Sequence, residues 1–80
     1  MPQTQFFPIV SSNIHSAAFD RDWNELVVRF KNGTAYKYQD VTQSLWADFK
    51  KTFDGKSGSA GSFFAKQIRF LTNEKLEDWQ

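Results

Sequence analysis

The chain lacks cysteine altogether and has a single histidine among its 80 residues. Without cysteine there are no disulfides, no thiolate metal ligands and no cysteine nucleophile, and a reducing, cytoplasmic location is the expectation. The one histidine, His15, shows no spacing to the acid and nucleophile of a serine hydrolase, so we expect an ordinary strand residue. The carboxylates of Asp20, Asp22 and Glu25 lack the central glycine and distal glutamate of a calcium loop. We therefore predict a protein without catalytic activity, metal or small-molecule cofactor.

Long apolar runs are also missing. No run approaches the roughly 18 residues that a membrane helix requires, and the N-terminal sequence has no positively charged segment of a signal peptide. We expect no membrane association, and residues 1–80 have room for a single domain. The chain is instead rich in rings, with nine Phe, three Trp and two Tyr, which predicts an aromatic core.

Charge is unevenly distributed along the chain. Residues 29–69 hold eight basic and three acidic residues, a net charge of +5, whereas the remainder holds two basic and six acidic residues, a net charge of −4. The middle of the chain is therefore suited to a polyanionic partner. The alternative is that these lysines and arginines only solvate exposed faces.

Hydrophobic periodicity indicates three strands. Residues 13–19 form a strand that ends in a turn at 20–22, and residues 25–31 alternate between apolar and polar, as in a half-buried strand. Asn32 and Gly33 favour a turn, after which residues 34–38 resume with β-forming side chains. We predict a β-hairpin across residues 25–38.

One helix is expected after the hairpin. Asp40 is the predicted N-cap, with Gln43 returning the hydrogen bond and Thr42 as the alternative cap. The apolar stripe of this helix consists of Leu45, Trp46, Phe49 and Phe53.

The C-terminal third is predicted to return to the core. Residues 54–62 are rich in Ser and Gly and are predicted to be a loop, whereas residues 63–64 and 68–71 are apolar. Thr72 or Asn73 is a candidate cap for a last short helix ending at Trp79. The predicted fold is α+β: a small antiparallel β-meander of about three strands, one covering helix, and a C-terminal return strand or short helix.

An ordered series of short motifs runs through residues 11–70. Its members are Ser11-Ser12-Asn13-Ile14, Phe19-Asp20, Leu26, Val28, Phe30, Gly33, Tyr36, Tyr38, Val41, Trp46 and Ser59-Ala60-Gly61-Ser62-Phe63-Phe64. In order and spacing the series resembles the KTSC domain family. The resemblance implies a short β-meander with a helix, as found appended to some lysyl-tRNA synthetases and in free-standing bacterial or phage proteins, and it implies RNA binding. Thr42 and Ala65 depart from the proline and asparagine expected there.

The length of the hairpin loop decides where the two tyrosines of the Tyr-x-Tyr motif point. With a two-residue turn, Tyr36 and Tyr38 share a face with Arg29 and form a cationic, aromatic platform suited to RNA bases. With a three-residue loop containing a bulge, Val28 opposes Tyr36 and both rings join the core. We favour the second arrangement, because it collects the large apolar residues on one face.

Two sets of residues are candidate binding sites. The first set is predicted to bind nucleic acid and consists of Arg29, Lys31, Tyr36, Lys37, Tyr38, Lys56, Lys66 and Arg69. Beside Lys56, Lys66 and Arg69, the small residues of the Gly/Ser loop leave backbone amides free to approach an anion. The second set serves the alternative function, binding a protein partner or a second copy of the chain, and consists of Phe6, Phe7, Trp23 and Trp79. These four aromatic residues otherwise need the core or the second face of the sheet.

Overall fold

The computed structural model describes residues 5–56, 58–76 and 78. In chain order the elements are β1 (Phe7–Pro8), β2 (Ile14–Asp20), β3 (Glu25–Phe30), β4 (Ala35–Tyr38), α1 (Gln43–Lys50), α2 (Ala60–Gln67) and β5 (Asn73–Lys75). The strands form one antiparallel sheet in the order β1-β2-β3-β4-β5, so each strand pairs with its neighbour in sequence. The predicted α+β meander is confirmed, and β1 and β5 extend it from three strands to five. Neither described helix has the length or apolar content of a bilayer span.

The β3–β4 hairpin has the three-residue loop. Val28 pairs with Tyr36, and the Phe30 backbone N–H donates to the Thr34 carbonyl oxygen at 2.8 Å. Gly33 has a φ of 95°, a left-handed conformation that a residue without Cβ adopts without strain. The bulged arrangement is confirmed, and it directs Tyr36 and Tyr38 to the same face as Val28.

Helix α1 begins at a different cap from the predicted one. The Thr42 hydroxyl accepts a hydrogen bond from the Leu45 backbone N–H at 3.1 Å, which identifies Thr42 as the N-cap. Asp40 has a φ of 61° and lies in the connection between β4 and α1, so the prediction of Asp40 as cap is wrong. Trp46 and Phe49 of the predicted stripe are buried.

Helix α2 occupies part of the predicted Gly/Ser loop. The Ser59 hydroxyl accepts from the Ser62 backbone N–H at 3.2 Å and starts the helix at Ala60, inside the range predicted as loop. The helix forms because this cap is followed by Phe64, which is buried against the sheet. Residues 73–75 form β5, so the return strand is confirmed and the alternative short helix is wrong there. Trp79 lies outside the described residues.

Both helices pack on one face of the sheet. The core between them includes Ile14, Leu26, Val28, Tyr38, Val41, Trp46, Phe49, Phe53, Phe64 and Ile68. Aromatic rings meet throughout it; for example, the ring centroids of Phe49 and Phe53 are 4.8 Å apart. The predicted aromatic core is confirmed. The opposite face of the sheet buries small residues, including Ser16, Ala18 and Ala35.

Candidate binding surfaces

The two tyrosines of the Tyr-x-Tyr motif lie on the helix-covered face. Tyr38 is 4% exposed, and its ring meets the Phe64 ring edge to face with centroids 5.2 Å apart. Burial raises the pKa of Tyr38 to about 12, because the phenolate would lose its water contacts. Tyr36 is half-buried at the rim, and its ring centroid is 6.4 Å from that of Tyr38. Of the two tyrosines, only Tyr36 has a ring that a ligand can reach.

Arg29 and Lys37 lie on the opposite face. The guanidinium of Arg29 is 3.6 Å from the centroid of the Phe6 ring. The Lys37 ammonium is 2.9 Å from a Glu74 carboxylate oxygen and 3.8 Å from a Glu25 carboxylate oxygen. The hydrogen bond to Glu74 is the main reason that the pKa of Lys37 is raised. These two carboxylates offset the charge of Lys37, so Lys37 is a weak ligand for phosphate.

Lys31 and Lys56 are exposed in two different loops. Lys31 lies in the β3–β4 loop, and its backbone N–H donates to the Asn13 carbonyl oxygen. Lys56 follows α1, and its backbone N–H donates to the Asp54 carboxylate at 2.8 Å. In this predicted anion site the Lys56 amide is therefore occupied by a side chain of the same loop.

Lys66 and Arg69 lie at the C-terminal end of α2, and two further candidate residues, Phe70 and Lys75, were not predicted from the sequence. Phe70 is 73% exposed, and the Arg69 guanidinium is 5.8 Å from its ring centroid. Lys75 pairs with Tyr36 across β4 and β5, which places both side chains on the helix-covered face. We call these residues the α2-end patch: Tyr36, Lys66, Arg69, Phe70 and Lys75.

Two signals in the sequence indicate this patch. Residues 55–73 contain no acidic residue, so an aromatic ring inside this range lies among unopposed cations. The alternation of β5 separates Glu74, which pairs with Lys37 on one face, from Lys75 on the other. The second signal depends on recognising residues 73–75 as a strand.

Of the residues predicted to bind a protein partner, the three that the structure describes, Phe6, Phe7 and Trp23, do not form one surface. Phe6 lies beneath Arg29 on the face away from the helices, whereas Phe7 meets Trp46 edge to face with centroids 5.8 Å apart. Trp23 is 74% exposed in the turn between β2 and β3. Trp79 lies outside the described residues.

A cleft of about 690 Å³ opens between the β2–β3 turn and α1. Three rings line it: those of Phe7, Phe19 and Trp46, with Phe19 and Trp46 stacked at a centroid distance of 5.4 Å. Its charged lining consists of Asp20, Arg21, Asp22 and Lys50. We call this site the aromatic cleft. Its volume falls within the roughly 300–1,000 Å³ that is usual for ligand sites.

The described residues offer little for catalysis. Among them no three His, Asp or Glu side chains are grouped so that they could share a metal ion. His15 Nδ1 lies 2.9 Å from the Ser16 hydroxyl, but Ser16 is 3% exposed and its oxygen is closed to a substrate.

Comparison with known proteins agrees with this fold. The crystal structure of a KTSC domain protein from Yersinia pestis is similar to this chain with a TM-score of 0.81 and 27% sequence identity, over 92% of this chain and 99% of that one. A comparison with curated proteins finds no match. The KTSC domain model matches residues 10–70, which is most of the chain. The chain therefore belongs to the KTSC domain family.

Proposed function

We propose that the protein is a non-catalytic module that binds single-stranded RNA through the α2-end patch. The observation that carries the proposal is the exposed ring of Phe70 with the Arg69 guanidinium 5.8 Å from its centroid. An unpaired base stacks on an exposed ring whatever its sequence, and an adjacent guanidinium neutralises the phosphate that follows the base. Tyr36, half-buried at the rim, offers a second partial surface for stacking.

The charges of the patch favour an anion. Lys66, Arg69 and Lys75 are exposed, and none of them forms an ion pair within the described part of the chain. The nearest acidic residue in sequence, Glu74, is held on the opposite face by Lys37. Three exposed cations, of which Arg69 lies beside an exposed ring, match a short stretch of backbone with one stacked base.

Single-stranded RNA fits better than a duplex, because the patch would contact the faces of unpaired bases. In a duplex these faces are stacked on neighbouring base pairs and cannot be reached. The test is a fluorescence anisotropy titration with a labelled single-stranded RNA of mixed sequence, about 12 nucleotides long, at about 50 and 200 mM salt. If three phosphates are neutralised, the logarithm of the association constant falls against the logarithm of salt concentration with a slope of about −2. Anisotropy that stays flat at both salt concentrations would contradict the proposal.

Phe70→Ala tests the stacking contact. We expect RNA binding to weaken by about 1 to 3 kcal/mol, the usual contribution of one stacked base. Trp23→Ala is the matched control, because Trp23 has nearly the same exposure, 74% against 73%, but lies in the β2–β3 turn. Equal losses of RNA affinity in the two variants would show that RNA stacks on any exposed ring, and would contradict binding at the α2-end patch.

Arg69→Ala tests the phosphate contact. It should lower affinity and make the salt slope shallower by about 0.7, the contribution of one phosphate on a single strand. Lys51→Ala removes a charge of the same sign from the C-terminal end of α1, where its exposed pair with Asp48 contributes little to stability. A slope that changes as much in Lys51→Ala as in Arg69→Ala would mean that RNA binds by diffuse charge alone.

A further inference from the structure

The aromatic cleft has walls of opposite charge. On one side the β2–β3 turn carries Asp20, Arg21 and Asp22, a net charge of −1. On the other side α1 contributes Lys50, whose ammonium is 5.5 Å from the centroid of the Trp46 ring. An acidic wall repels phosphate, so this cleft does not suit the ligand proposed for the α2-end patch.

Two cations of the cleft, Arg21 and Lys50, are available to a ligand. Within the described residues Arg21 and Lys50 form no ion pair, and Lys50 contacts only rings. Trp46 lines the cleft and is 8% exposed, so its indole reports on what enters the cleft.

We propose that the aromatic cleft is a docking site for an extended segment of a partner protein, in which an aromatic side chain lies between a basic and an acidic residue. The aromatic side chain would contact the rings of Phe7, Phe19 and Trp46. The basic residue would face Asp20 and Asp22, and the acidic residue would face Lys50.

Three capped tripeptides test this proposal: Lys-Phe-Glu, Lys-Ala-Glu and Glu-Phe-Glu, added at millimolar concentration to ¹⁵N-labelled protein. The readout is the NMR cross-peak of the Trp46 indole N–H, assigned by its loss in Trp46→Phe. We expect Lys-Phe-Glu to shift this peak with saturation, and the other two peptides to bind more weakly. If none of the three peptides shifts the peak, the proposal is overturned. It is also overturned if Lys-Ala-Glu shifts the peak as much as Lys-Phe-Glu does. If single-stranded RNA shifts the peak and none of the peptides does, the cleft binds nucleic acid and the proposal is likewise overturned.

Two charge reversals should change which peptide binds. Lys50→Glu makes both walls acidic, so the affinity for Lys-Phe-Glu should fall about two- to fivefold and that for Lys-Phe-Lys should rise by a similar factor. Asp22→Lys makes both walls basic and should shift the preference to Glu-Phe-Glu. A gain in affinity for a new peptide requires a folded protein, so misfolding cannot imitate this result.

Lys51→Glu is the matched control for Lys50→Glu. It makes the same charge change one residue further along the chain, at a side chain that does not line the cleft. Unchanged peptide preference in Lys50→Glu, or the same change in Lys51→Glu, would show that the charged walls do not select the ligand.

Discussion

Tyr38 is 4% exposed, and burial raises the pKa of its hydroxyl from the ordinary value of 10.0 to about 12. Between these values the unfolded chain loses a proton that the folded chain keeps, so the free energy of unfolding falls as the pH rises from 10 to 12. Below pH 10 the contribution of Tyr38 to stability is fully present. We expect Tyr38→Phe to remove this part of the alkaline destabilisation.

Urea unfolding at about pH 9 and pH 11 measures the effect of Tyr38 as the difference between the native protein and Tyr38→Phe. Taking this difference cancels the contributions of the groups that the two proteins share. Identical pH dependence in the native protein and Tyr38→Phe would mean that the Tyr38 hydroxyl is hydrated in the folded state.

Helix α1 depends on a single side-chain cap. Because the Thr42 hydroxyl accepts the Leu45 N–H, Thr42→Ala should lower the free energy of unfolding by about 1 kcal/mol. Asp40→Gly should be neutral or stabilising, since glycine accepts the positive φ that Asp40 adopts. Urea unfolding of the two variants compares the rival caps. A larger loss in Asp40→Gly than in Thr42→Ala would place the cap at Asp40.

Elements held by local signals were predictable from the sequence, and elements held by distant contacts were not. The β3–β4 hairpin follows from residues within 14 positions of one another, including the left-handed Gly33 that fixes its loop. Helix α2 begins with Ala60, Gly61 and Ser62, whose side chains carry little hydrophobic signal. It forms because Ser59 caps it and Phe64 packs against β3 and β4, and the second condition is a tertiary contact.

The arrangement of charge over the whole molecule depended on the same long-range contacts. From the sequence, Lys37 and Arg69 belong to one basic span. The pairing of β5 with β4 places Glu74 against Lys37 on one face, and Lys75 beside Tyr36 on the other. That pairing joins residues more than 30 positions apart. The sequence therefore predicts that residues 29–69 carry excess positive charge, but it does not predict which face of the sheet presents that charge to a ligand.

The stability of the sheet should vary from its centre to its edges. Strands β2, β3 and β4 are paired on both sides, whereas β1 and β5 are edge strands of two and three residues. Amide hydrogen exchange should therefore be slowest in the central strands and faster in β5, whose side chains are all exposed.

The same exchange measurement separates the two proposed ligands within one molecule. Single-stranded RNA at about ten times its dissociation constant should slow amide exchange roughly tenfold at residues 69–75, because these amides exchange through local opening that bound RNA would prevent. The exchange rates of residues 20–24 should not change. The Lys-Phe-Glu peptide should do the reverse, since the β2–β3 turn forms one wall of the aromatic cleft. If both ligands slowed exchange only in the central strands, each would bind and stabilise the whole fold without contacting the surface assigned to it.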